Sequence, residues 1–203
     1  MLDFLEKHHI HTDTLAVGVS GGADSLALVL WLKESLSDTS IKVIALTVDH
    51  QLRAESSDEA VYVHQLMKKY GIEHHILVWK GEKPQTGIEE AARIARYQLL
   101  ADWCHQHCVS YLCVAHHALD QAETFMMRLQ RGSGLNGLCG MQEVSEMYGL
   151  KILRPFLKTF PQALKEYLIH RKIEWVTDCS NDCDDFLRVR IRKFLPQMEQ
   201  TIG

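Results

Sequence analysis

The sequence lacks any apolar run long enough to span a membrane. Its start, MLDFLEKHHIH, is short and mixed in charge and lacks the pattern of an export leader. No internal repeat or low-complexity tract interrupts it. The six cysteines form no CxxC pair, because Cys104/Cys108 and Cys179/Cys183 are spaced CxxxC. The twelve histidines fall partly in adjacent pairs at 8–9, 74–75 and 116–117, without zinc-site spacing. A net charge of −4 gives no general signature for nucleic acid. These absences argue against a membrane protein, a disulfide scaffold and a structural zinc module. They lead to an expectation of reduced thiols in a cytoplasm.

What is present is a chain of 203 residues, enough for one domain with a core and a small appendage. Charge is uneven: residues 1–150 carry 12 basic and 19 acidic side chains, residues 151–203 carry 10 and 7. The basic excess concentrates in RVRIRK, with Arg188, Arg190 and Arg192. Such a cluster is a solvated helix face or a contact for a polyanion.

Apolar runs alternate with helical patterns. Strands are expected at 14–20, 42–50, 74–80 and 110–117, with helices at 24–36, 56–71, 88–107 and 120–132. Almost wholly apolar strands, each followed by a helix, imply an α/β fold with an open, doubly wound parallel sheet, Rossmann-like in type. Ligands in such sheets bind beyond the carboxyl ends of the strands, where strand order reverses. The segments to inspect are then 20–25, 49–53 and 115–123. Beyond 132 the pattern changes to a glycine-rich loop, a short edge strand in ILRPF stopped by Pro155, and a helix over 159–172 with Thr159 as cap. A polar loop and a final helix over 186–199 follow. The core is expected at about 10–150 and a small helical extension at about 151–203.

The stretch VSGGADS holds the most pointed pattern. Gly21 and Gly22 permit close backbone approach, Ser20 and Ser25 add hydroxyls, and a helix begins near Asp24. Successive N–H groups there can face an anion. It is neither a Walker loop, lacking the lysine, nor a GxGxxG fingerprint. A tight strand–helix turn capped by Asp24 accounts equally well for the same residues.

SGGADS, Ser20 to Ser25, matches the SGGxDS loop of the N-type ATP pyrophosphatases, adenine nucleotide alpha hydrolase-like enzymes that cleave ATP between its α and β phosphates. Further segments resemble the tRNA(Ile)-lysidine synthetases within that superfamily: VDHQLRAESSDEA (48–60), AARIARYQLL (91–100), AHHALDQAETFMMRLQRGSGLNGLCGM (115–141) and DCSNDCDDFLRVRIRKFLPQM (178–198). The resemblance implies a two-step ligation. The wobble cytidine of a tRNA(Ile) with a CAU anticodon is first adenylated at its C2 oxygen, releasing pyrophosphate. The ε-amine of free L-lysine then displaces AMP.

By that resemblance Ser20, Gly21, Gly22, Ala23, Asp24 and Ser25 hold ATP and its pyrophosphate, with Asp49 and His50 near the nucleoside. Asp24 positions Mg²⁺, which reconciles a carboxylate with a triphosphate. Arg96 stabilises developing charge, and His116 is favoured over His117 for proton traffic. Asp120 and Glu123, three apart on a helix, bind the lysine substrate. Arg131, Gly132, Ser133 and Gly134 lie over the adenylate or cytidine, and the basic cluster meets the tRNA backbone. Leu119 and Val189 depart from the family pattern, which has Asp or Asn and Asn there. Further C-terminal tRNA-binding domains are expected to be absent from this chain, and a homodimer is left open. The rivals are a tRNA thiolation enzyme, which needs reactive or cluster-binding cysteines, and a non-catalytic truncated relative.

Overall fold

A computed structural model of the chain describes residues 1–134, 139–177, 190, 191 and 194. The elements in order are α1 (Leu2–Lys7), β1 (Thr14–Gly18), α2 (Ala23–Ser35), β2 (Lys42–Asp49), α3 (Ser56–Lys69), β3 (Glu73–Val78), α4 (Ile88–Gln106), β4 (Tyr111–Cys113), α5 (Ala118–Gln130), β5 (Val144–Met147), β6 (Leu150–Leu153) and α6 (Pro161–His170). The strands form one sheet in the order β3-β2-β1-β4-β6-β5. All neighbours are parallel except β5 and β6.

The four β-then-α units and the α/β class stand as read from the sequence. Three details are corrected. The ILRPF strand is not at the edge: β6 pairs with β4 on one side and with β5 on the other. That hairpin makes the sheet mixed. β5, with the sequence VSEM, is too short and polar to announce itself. Thr159 does not cap α6; Phe160 takes that place and Pro161 opens the helix. α3 starts at Ser56, whose hydroxyl donates to Asp49 Oδ1. The short α1 lay outside the sequence reading. The expected final helix lies largely outside the described residues.

Helices cover both faces, as apolar strands require. One core packs α2, α3 and α6 against the sheet, and the other packs α4 through Tyr97, Leu100, Ala101 and Cys104. α2 is buried nearly all round: Leu26, Leu28 and Leu32 are fully enclosed. A Leu→Ala change there is expected to cost about 2–5 kcal/mol. The loop at its N-terminus is thereby fixed to the most rigid part of the domain. Among the described residues no helix is long and apolar enough to cross a membrane.

Strand order reverses between β1 and β4, so the crevice for a ligand opens at their carboxyl ends.

Candidate active site

The loop after β1 turns at Gly21, whose φ of 87° suits glycine. A Cβ there would also stand 3.0 Å from Val63 Cγ2 of α3 and 3.3 Å from Val176 Cγ2. The Val176 N–H donates to Gly21 O, so the segment following α6 props the loop from behind. Ser25 ties the loop from within: its hydroxyl donates to Gly22 O and accepts the Ser20 N–H at 3.1 Å. The loop is built before any ligand arrives.

In front of it lies a cavity of about 660 Å³, walled by the ends of β1, β2 and β4 and by the inner face of α4. Ser20, Gly22, Asp24, Ser25, His50, Arg96 and His116 all line it. Gly21, Ala23 and Asp49 are not among its walls. Asp49 is buried, and its carboxylate accepts from Gln51 N, Ser56 Oγ and Ser57 Oγ at 2.9, 2.8 and 2.7 Å. Burial raises its pKa, but those donors outweigh it and leave the carboxyl below its ordinary range. Asp49 thus shapes the β2–α3 turn, and His50 faces the cavity.

His50 pairs edge-on with Trp79. Burial, then the charges of Arg96 and Lys83, hold its pKa below the ordinary value against the pull of Asp49. Its Nδ1 is buried without a hydrogen-bond partner among the described residues, which buried polar atoms rarely are. Arg93 and Arg96 flank the ring of Tyr97 on α4 at 5.3 and 5.4 Å. Arg53 forks onto Glu59 at the rim. The α4 side of the cavity is therefore basic, as a polyphosphate would require.

The acids gather at the opposite end. His117 caps α5: its backbone N–H donates to Asp120 Oδ2 at 2.9 Å. Its ring lies between two carboxylates, with Nε2 3.5 Å from Asp24 Oδ2 and Nδ1 3.2 Å from Asp120 Oδ2. Burial lowers its pKa, but the hydrogen bond of Asp24 and the charges of Asp120, Asp24 and Glu123 prevail and raise it. Nε2 is the side that faces Asp24, while Nδ1 accepts the Asp120 N–H at 3.3 Å as the cap of α5. Glu123 is wholly buried one turn on. Asp120 and Glu123 are not among the residues that line the cavity, and Asp120 connects to the loop at 20–25 through the His117 ring. The sequence reading set His117 aside in favour of its neighbour. Adjacent histidines look alike without coordinates, and only the capping position distinguishes this one.

Asp24 Oδ1 is buried and has no hydrogen-bond partner among the described residues, while Oδ2 faces His117. A carboxylate oxygen left unused there fits a hard cation such as Mg²⁺. No cluster of three or more His, Cys, Asp and Glu that could hold a metal exists among the described residues.

Arg154 was also missed, because it ends an apolar strand. It is buried and donates to His116 Nδ1. Burial lowers its pKa, with Tyr97 opposing and Arg93 adding to the effect. Arg131 to Gly134 form a turn after α5 and do not line the cavity. The return of this loop is clamped where the Gln121 amide exchanges two hydrogen bonds with the Met141 backbone, both 2.6 Å. Arg190 is exposed, and Arg188, Arg192 and Val189 lie outside the described residues. Leu119 is half-buried in the first turn of α5.

A family model described as the PP-loop domain matches residues 2–199. The tRNA(Ile)-lysidine synthase of Bradyrhizobium sp. strain BTAi1 is 44% identical over 187 residues, covering 91% of this chain and 52% of that protein. Those of Zymomonas mobilis and Orientia tsutsugamushi are 43% and 39% identical over 89% and 91% of this chain, and 55% and 42% of theirs. The chain spans about half the length of the curated relatives it matches. Among solved structures, a U34-tRNA thiolase from Methanococcus maripaludis with its 4Fe-4S cluster superposes with a TM-score of 0.78 at 19% identity, over 93% of this chain and 66% of that one. That likeness is one of fold.

Proposed function

The chain belongs to the PP-loop domain family, and from that premise we propose that it uses ATP to join free L-lysine to C2 of the wobble cytidine of a tRNA(Ile) with a CAU anticodon. One observation carries the reading. The loop at 20–25 and Asp120 meet through His117 beside a cavity with arginines on its far wall, with Glu123 one turn further along α5.

In the first step the cytidine C2 oxygen bonds to the α-phosphorus and the bond to the β-phosphate oxygen breaks. Loop amides of residues 20–25 and the hydroxyls of Ser20 and Ser25 hold the departing pyrophosphate. Asp24 would hold Mg²⁺, which neutralises phosphate charge when bound. Arg96 faces the charge that develops on the transferring phosphate. In the second step the lysine ε-amine bonds to C2, loses a proton, and AMP leaves with the former C2 oxygen. Asp120 and Glu123 supply carboxylates for an ammonium group of lysine. The basic residues Arg188, Arg190 and Arg192 meet the tRNA backbone. A tRNA substrate places the reaction in the cytoplasm.

The test is release of pyrophosphate from ATP in the presence and absence of unmodified tRNA(Ile). The reading requires release that depends on the tRNA and disappears in D24N, with the fold intact by circular dichroism. ATP binding without such release, or full activity in D24N, contradicts it.

A further inference from the structure

Arg154 follows β6 and is only 6% exposed. Its Nη1 donates to Gln142 O at 3.0 Å and to Ser145 Oγ at 2.8 Å, so β5 and the residues before it hold the guanidinium in place. Its Nε donates to Nδ1 of His116 at 3.3 Å. A guanidinium has only donors. The ring nitrogen that faces it must therefore present a lone pair, and the ring proton of a neutral His116 resides on Nε2.

The next residue has the opposite surroundings. His117 faces the carboxylates of Asp24 and Asp120, at 3.5 Å from Nε2 and 3.2 Å from Nδ1. The HH dipeptide thus sets one ring against a cation and the other against anions. His116 is the member that lines the cavity.

We infer that Arg154 is a positioning residue that fixes His116 in its Nε2–H tautomer, so that His116 serves the cavity as a hydrogen-bond donor to nucleotide phosphoryl oxygens and not as a proton acceptor. The identity of that anion rests on the proposed function; the tautomer does not. A base in this place would need an unprotonated nitrogen toward the reacting group, and Arg154 occupies the one lone pair the ring has.

The test is long-range ¹H–¹⁵N correlation on histidine-labelled protein, with the His116 signals assigned by their loss in H116N. The expected spectrum shows Nδ1 unprotonated and Nε2 protonated in the wild type and in R154K, whose ammonium also donates. In R154M the ring is expected to populate the Nδ1–H form. S145A, which removes a support of Arg154 without touching His116, is expected to keep the wild-type pattern. A wild-type ring protonated on Nδ1, or an R154M spectrum identical to wild type, overturns the inference. If R154M fails to fold, the wild-type spectrum alone decides.

Turnover supplies a second arm. R154M is expected to lower kcat for pyrophosphate release on the order of 100-fold with KM for ATP changed less than about threefold. H116Q, which offers an amide N–H near the position of Nε2, is expected to keep about tenfold more activity than H116N. Equal loss in both contradicts the donor role. The spectrum requires neither tRNA nor turnover, so a failure of this inference is distinguishable from a failure of the functional reading.

Discussion

Nε2 of His117 lies 3.5 Å from Oδ2 of Asp24, which links the end of β4 to the first turn of α2. The same ring caps α5 and reaches Asp120. Removing it both uncaps a helix and leaves carboxylates facing one another. H117A is expected to lose about 1–2 kcal/mol of stability and pyrophosphate release on the order of tenfold or more. H117N restores a capping side chain but no second donor. It should recover stability in urea denaturation without recovering activity; full recovery of both would show that the bridge has no role in turnover.

A second prediction concerns acid. His74 is buried, with Nε2 2.8 Å from Thr47 Oγ1, and Thr47 donates in turn to Val19 O beside the phosphate loop. Burial first, then His64 and His75, pull the His74 pKa down to about 4. The unfolded chain therefore binds a proton that the folded chain refuses. Stability is unaffected above the ordinary histidine pKa and falls as the pH drops from about 6.5 toward 4, by about 3 kcal/mol from this group. H74Q, whose amide can still donate to Thr47, should flatten that part of the stability–pH curve. An unchanged curve in H74Q would refute the assignment.

Gly21 combines a left-handed backbone with contacts to Val63 and Val176. G21A is expected to cost about 1–3 kcal/mol in backbone strain alone, and to displace the loop. A G21A melting temperature equal to wild type would mean the loop is not held as described.

Cysteine chemistry separates ligation from thiolation. Burial pushes the thiols of Cys104 and Cys113 up to about 12, so neither is a thiolate at neutral pH. Cys108 and Cys139 are exposed. A variant with serine at 108, 139, 179 and 183 is expected to keep tRNA-dependent pyrophosphate release within about threefold, since ligation uses no thiol. Loss of activity with the fold retained would favour sulfur transfer.

The parallel core was legible because its strands are unbroken apolar runs, and periodicity alone distinguishes them from helices such as α3 and α4. β5 was not, since four residues with two polar members carry no pattern until β6 pairs with them. SGGADS announced a loop before a helix, and Asp24 was readable as the odd acid in it. The job of Asp49 was hidden, because its partners Ser56 and Ser57 look like ordinary helix-start serines. His117 and Arg154 were hidden for a related reason. Their roles come from which charge stands opposite them, and that is fixed by β4 lying between β1 and β6.

The central claim is that one crevice joins ATP cleavage to lysine transfer. Incubation with ATP, radiolabelled lysine and unmodified tRNA(Ile), followed by nucleoside analysis of the RNA, tests it most directly. The account predicts label on the anticodon wobble cytidine that requires ATP and is lost in D24N and in E123Q. Release of pyrophosphate in the presence of tRNA with no lysine label on the RNA would contradict it.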